Sequence, residues 1–267
     1  MTFRLCGCGW RGYLYPSAAP AASSELLILL FERDGIASAD KTAMMPAMTL
    51  IDLARLRDSP LHRDPFDFVV VEDFLAADSA ERLVDEFPAV PGHGSYPLSV
   101  LACSPLFSRL VGELEGDKMR EAIEEKFALD LAGRPTMITL RGYSDVKDGG
   151  IHTDSATKLI TVLIYMNREW SEPAGWLRLL RGPDNLADYA AEVPPLGGTL
   201  IAFRRSDASF HGHEAHVGKR QSIQLNWVTN AAVVRRELSR HVWSARLKAL
   251  NPLKKRRSRV GKQGHDR

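Results

Sequence analysis

Regular alternation of apolar and polar positions begins near Pro65. Residues 66–71, Phe-Asp-Phe-Val-Val-Val, are β-rich and predict a strand. Leu83, Val84 and Phe87 then recur at helical spacing and predict a helix that Ala77-Asp78-Ser79 opens and Pro88 ends. Ser104-Pro105 opens a second helical region, with Leu106, Leu110 and Leu114 followed by Met119, Ile123 and Phe127 on one face. These stripes predict a helical layer, about 75–130, packed on a sheet. Beyond it, about 136–228, the chain becomes a series of short β-rich runs split by Gly and Pro turns: 137–143, 158–167, 175–180, 199–203 and 222–228. That pattern predicts a sandwich or jelly roll with flanking helices, not a parallel α/β sheet. Val234, Leu238, Val242 and Leu247 predict a last helix over 233–250.

The flanks lack such patterning. Residues 1–47 are expected to be a disordered N-terminal extension, 48–232 the folded domain, and 233–267 the last helix with a basic tail. Gly7-Cys8-Gly9-Trp10-Arg11-Gly12 matches GxGxxG, but no strand precedes it and Tyr13-Leu14-Tyr15-Pro16 follows, which is the wrong context for a phosphate loop. Cys6 and Cys8 lack the further ligands that a structural zinc needs. Met44, Met45 and Met48 are expected alternative starts, which the intact mass of natively expressed protein would test.

Composition changes this picture little. Charge is near balance at +2, and the three cysteines form no disulfide framework, which favours a reducing compartment and a cytoplasmic location. The apolar run 26–31 lies between Glu25 and Glu32, too short to span a bilayer and wrongly flanked for a secretion signal. The run 254–259, Lys-Lys-Arg-Arg-Ser-Arg, is expected to be a solvated tail. No aromatic residue interleaves with it to stack on bases, so nucleic acid is not the favoured partner, although the charge leaves that role open.

Candidate chemistry centres on Gly149-Gly150-Ile151-His152-Thr153-Asp154-Ser155. Positions i and i+2 of an extended segment share a face, so His152 and Asp154 leave the chain side by side. Chance supplies about one His-x-acid match in a chain with eight His and 33 acidic residues, and His62-Arg63-Asp64, ahead of Pro65, is such a match, read as a surface turn. What distinguishes His152 is the order that follows. His211 can bring a third ligand from a second strand, and Arg220-Gln221-Ser222 comes after it. Two His and one carboxylate on one side of a metal suit non-haem Fe(II) with open positions for O2. A fixed guanidinium beyond the last ligand can clamp a carboxylate bidentately. His213, two residues past His211, competes with it as the third ligand if both lie on one strand face.

The block from Tyr143 to Trp227 resembles the Fe(II)- and 2-oxoglutarate-dependent dioxygenases, in particular the prolyl 4-hydroxylase-like branch. The matching pieces occur in order: Tyr143, His152-Thr153-Asp154, the 163–167 run, Gly175-Trp176-Leu177-Arg178-Leu179, Pro195 to Phe203, His211, Arg220 and Trp227. The resemblance implies a double-stranded β-helix, a distorted jelly roll. It implies iron ligation by His152, Asp154 and His211, and 2-oxoglutarate held by Arg220 and Tyr165, with Thr161, Ser222 and Tyr143 at the same cosubstrate site. Fe(II), 2-oxoglutarate, O2 and ascorbate are the implied cofactors. The implied reaction is hydroxylation of a peptide or small molecule, with oxidative decarboxylation of 2-oxoglutarate to succinate and CO2. Leu163 and Leu179 are expected to wall the site against water, and Asp154 argues against a halogenase, whose site lacks this carboxylate. One departure is Ala174-Gly175 where the family has Gly-Gly. A cupin-like metalloprotein not using 2-oxoglutarate, and a non-catalytic binding module, are the competing readings. The substrate is not legible; loops 88–104, 144–151 and 168–174 are where specificity is expected.

Overall fold

The computed structural model describes residues 49–249. The readings made for 1–47, the Met44, Met45 and Met48 starts and the basic run 254–259 lie outside the described residues. Within them, nine strands form two antiparallel sheets. The larger contains β1 (Phe68–Val71), β2 (Tyr96–Pro97), β3 (Thr136–Ser144), β4 (Lys158–Tyr165), β7 (Leu200–Arg204) and β9 (Gly218–Val228), in the order β1-β7-β4-β9-β3-β2. The smaller contains β5 (Leu177–Leu180), β6 (Tyr189–Val193) and β8 (His211–Gly212), in the order β6-β5-β8. Phe66, Phe68, Tyr165, Ile201 and Phe203 on the larger-sheet side meet Leu177, Leu179 and Val193 on the smaller, so the sheets pack face to face as a distorted jelly roll.

The larger sheet is two-sided by sequence. Ile160, Val162 and Ile164 of β4 and Ile223, Leu225 and Trp227 of β9 point to one face, under the helices. That face is covered by α1 (Leu53–Asp58), α2 (Ala77–Asp85), α3 (Pro105–Leu114) and α4 (Asp117–Phe127), whose Leu56, Leu83, Leu110, Leu114, Ile123 and Phe127 are buried against it. The intervening positions, Thr161 on β4 and Arg220, Ser222 and Asn226 on β9, are buried on the other face, between the sheets. These polar positions, beside the apolar contact between the sheets, are where the site lies.

Several local expectations change. The first predicted helix is N-capped by Ala76 with no side-chain cap, so Asp78 and Ser79 fall inside its first turn. Ser104 does cap α3, accepting from the Phe107 amide at 3.1 Å. The predicted single helical region is two helices, because Gly116 is extended (φ −75, ψ 161) and caps α4. β6 and α1 were not predicted. β6 has Ala at two of its five positions and is half-exposed, and it is tied to β5 by Arg178, whose Nε lies 2.6 Å from Glu192 and whose guanidinium covers the Tyr189 ring. The last helix, α5 (Ala231–Ala249), starts two residues earlier than predicted because the Asn230 side chain accepts from the Ala232 and Val233 amides. No helix among the described residues is long and apolar enough to cross a membrane.

Candidate metal centre

His152 and His211 face each other across a two-way backbone bridge: each amide donates to the other's carbonyl, at 3.0 and 2.9 Å. Glycine makes this approach possible. A Cβ on Gly212 would stand 2.8 Å from the Gly149 carbonyl oxygen, and one on Gly149, itself at φ +94, would stand 2.3 Å from the His213 carbonyl oxygen. The two imidazoles consequently lie 4.4 Å apart, centroid to centroid. Asp154 follows in the extended segment, and one donor atom from each of His152, Asp154 and His211 lies within 4.8 Å of the others. His152 and Asp154 thus stand together as the i, i+2 spacing predicts, although the segment is a bridged loop and not a regular strand.

The donor set suits a divalent ion. Nδ1 of His152 donates to the Gly150 carbonyl at 2.9 Å and Nδ1 of His211 to the Ser209 carbonyl at 3.0 Å, which fixes both tautomers and leaves each Nε2 lone pair free. Burial, only partly opposed by Asp154, pushes His211 down to about 4, so its ring is neutral at neutral pH, as a ligand must be. Burial pushes the Asp154 carboxyl up, but Lys158, His211 and the Thr161 hydroxyl outweigh it and hold it below the usual carboxylate range. Lys158 Nζ lies 2.6 Å from Oδ1, Thr161 Oγ1 donates to Oδ2 at 2.5 Å, and Arg205 Nε donates to the Asp154 carbonyl at 3.1 Å. Each carboxylate oxygen keeps a second lone pair for a metal.

Next to these three residues is a cavity of about 350 Å³, which Arg220, Ser222, Thr161 and Leu163 also line. Arg220 is 5% exposed; its Nε donates to the Gly175 carbonyl at 2.9 Å and Nη2 to the Tyr165 hydroxyl at 3.4 Å. The guanidinium is thereby fixed on one edge and keeps donors for an anion. Burial raises the Tyr165 phenol above its ordinary value against the pull of Arg220, so it remains a neutral O–H donor. Gly175 explains the Ala174-Gly175 departure. Only the second position sits at φ +84, where a Cβ would press to 2.8 Å on Trp170, while the Ala174 carbonyl merely accepts from the Trp170 indole.

Four expectations are corrected here. Tyr143 is 45% exposed and does not line the cavity, because a register shift after Arg141 carries the end of β3 out of the inner face. Thr161 lines the cavity, but its one hydroxyl proton goes to Asp154 while its oxygen accepts from Asn226 at 2.8 Å, so it has no proton left to donate to a carboxylate in the cavity. Leu177, not Leu179, joins Leu163 on the cavity wall; Leu179 is buried between the sheets. His213 does not join the ligand group: β8 ends at Gly212, and the His213 Nδ1 turns to the Glu214 carbonyl at 2.8 Å. Lys158, Arg141, Gln224 and Asn226 went unnoticed in the sequence. The signal was present in β9, where Arg220, Ser222, Gln224 and Asn226 occupy every second position and Ile223, Leu225 and Trp227 the alternate ones.

No family model matches the chain, and no curated protein matches it. Solved structures with similar architecture include a prolyl 4-hydroxylase from Pseudomonas putida, 20% identical over 66% of this chain and 99% of that one, with a TM-score of 0.46. A prolyl 4-hydroxylase from Phytophthora capsici is 17% identical over 71% of this chain and 69% of its own, with a TM-score of 0.48. HygX from Streptomyces hygroscopicus, solved with nickel and 2-oxoglutarate bound, is 15% identical over 61% and 83%, with a TM-score of 0.41. At these identities and TM-scores the likeness says nothing about activity or substrate. A functional reading of this chain rests on the residues of its own site.

Proposed function

We propose that this chain is an Fe(II)- and 2-oxoglutarate-dependent dioxygenase that hydroxylates a small substrate. The observation that carries the reading is the convergence of His152, Asp154 and His211 beside a cavity whose buried cation is Arg220. Iron(II) in that ligand set supplies O2 activation, with 2-oxoglutarate as the reductant that leaves as succinate and CO2. His152 and His211 offer Nε2, and Asp154 offers a carboxylate oxygen. Arg220 and the Tyr165 hydroxyl take the far carboxylate of 2-oxoglutarate, with Ser222 beside them. Leu163 and Leu177 keep water from the reacting end of the cavity. No general acid–base pair is assigned, because the reaction needs none.

The test is 2-oxoglutarate-dependent succinate release by the purified full chain with Fe(II) and ascorbate, and the visible charge-transfer band on anaerobic addition of 2-oxoglutarate. Asp154→Ala is expected to abolish both. Metal binding with no response to 2-oxoglutarate would instead favour a cupin-like metalloprotein.

A further inference from the structure

A second cavity, of about 260 Å³, is lined in part by the same residues. It shares Arg141, His152, Asp154 and Gln224 with the first, but Arg220, Ser222, Thr161 and Leu163 line only the first. Its wall is completed by Glu237, Arg240 and His241 of α5. A molecule seated there lies against two of the three candidate ligands without displacing anything held by Arg220.

The lining is unlike a site for an apolar or prolyl substrate. Five hydroxyl-bearing residues, Ser95, Thr139, Thr153, Ser155 and Thr157, line it, together with Gln224 and Asn226. No Phe, Tyr or Trp is among its described lining residues, and its apolar contribution is Met137, Val228 and Val233. Such a wall favours a ligand that hydrogen-bonds at many points. Its charges are unequal in availability. Lys158 is taken up by Asp154, and Arg240 by Glu237. Arg141 has only Asp148, at 3.7 Å, and Asp148 also accepts from the Asp145 amide. The Arg141 Nε donates to Ser95 at 3.2 Å, which steadies the guanidinium and leaves its other donors for a guest.

We propose that this cavity receives the molecule to be oxidised, and that it selects a small polyhydroxylated molecule carrying an oxyanion, anchored by Arg141. The assignment rests on the dioxygenase reading, which gives Arg220 to the cosubstrate and leaves Arg141 for the second ligand. The size of the cavity fits a single sugar-sized unit, not a folded macromolecular surface.

The experiment is calorimetric titration of the full chain, anaerobic, with Fe(II) and saturating 2-oxoglutarate, so that Arg220 is already engaged. The probes are D-gluconate, D-glucose 6-phosphate, D-glucose and a glycyl-prolyl-proline peptide. At least one charged sugar is expected to bind about tenfold or more tightly than glucose. Which one does so assigns carboxylate or phosphate as the oxyanion. Arg141→Gln is expected to erase that preference and Arg141→Lys to retain part of it. His241→Phe, which enlarges an α5 side chain of the cavity wall and leaves Arg141 in the chain, is expected to weaken the same probe about tenfold, and keeps the test alive if Arg141 variants do not fold. The proposal is overturned if glucose binds as tightly as the charged sugars, if Arg141→Gln keeps the preference, if only the peptide binds, or if no probe binds. Failure of the dioxygenase reading is seen separately, as no visible charge-transfer band when 2-oxoglutarate is added to the anaerobic Fe(II) protein before any probe.

Discussion

The Asp154 carboxylate receives a donor on each oxygen, Lys158 on one and Thr161 on the other, and Thr161 is itself held by Asn226. A carboxylate fixed in this way reaches a metal with little orientational freedom left to lose, which is why groups behind a ligand often matter as much as ligands. Thr161→Val keeps the shape of the side chain and removes the hydroxyl. It is expected to weaken Fe(II) binding by about 10- to 100-fold while leaving the KM for 2-oxoglutarate within about twofold once iron is saturating. A metal titration with a competing chelator, run beside the kinetic assay, separates the two effects. Arg220→Lys should show the reverse. Lysine keeps the charge but loses the fork that reaches both Gly175 and Tyr165, so the KM for 2-oxoglutarate is expected to rise about tenfold or more with Fe(II) binding preserved.

At the level of elements, the strands that carry the site were legible wherever one face is apolar and the other polar. The second half of β9 reads plainly for that reason, β4 reads as a β-branched apolar run buried on both faces, and the order His152, Asp154, His211, Arg220 already pointed to a metal beside an anion anchor. What the sequence left open was settled by where strands stop. His211 and His213 are equivalent by spacing, and the end of β8 at Gly212, with the turn of His213 Nδ1 to the Glu214 carbonyl, tells them apart. Tyr143 keeps the inward parity of Arg141 in the sequence, but the shift in pairing with β9 undoes it. β6 carries Ala-Ala where a strand signal needs branched or aromatic residues, and a cross-strand arginine compensates. The same logic identifies Gly175 as the glycine that the loop before β5 requires. Gly175→Ala places a methyl group at φ +84 against Trp170 and displaces the carbonyl that holds Arg220. Its expected result is a loss of about 1–2 kcal/mol in stability, with a raised KM for 2-oxoglutarate, read by chemical denaturation and by kinetics.

For the whole molecule, the question is how far the fold depends on the metal. The large cluster under the helices and the smaller one between the sheets, where the His211 ring packs on Phe203, are built by apolar burial that needs no ion. Chelation at pH 7 is therefore expected to lower the melting temperature without unfolding the protein. An ion present at about 100 times its Kd stabilises by about 2.7 kcal/mol, which for a domain of this size corresponds to roughly 5–10 °C. The chelated protein should then show a dependence on pH that the loaded protein resists. Burial holds His211 and His213 down to about 4, whereas in the unfolded chain they titrate near 6.5. Between those values the unfolded state binds more protons, so stability rises with pH, and acidification from 6.5 towards 4 removes it progressively. The loss at the acid end is of the order of a few kcal/mol for the two rings together. Melting curves of chelated protein at pH 7, 6 and 5 should fall in that order, and His213→Asn should flatten part of the decline. A melting temperature that stayed constant over this window would mean that the two imidazoles are not held neutral by the fold, and the neutral His211 that a metal ligand requires would lose its physical basis.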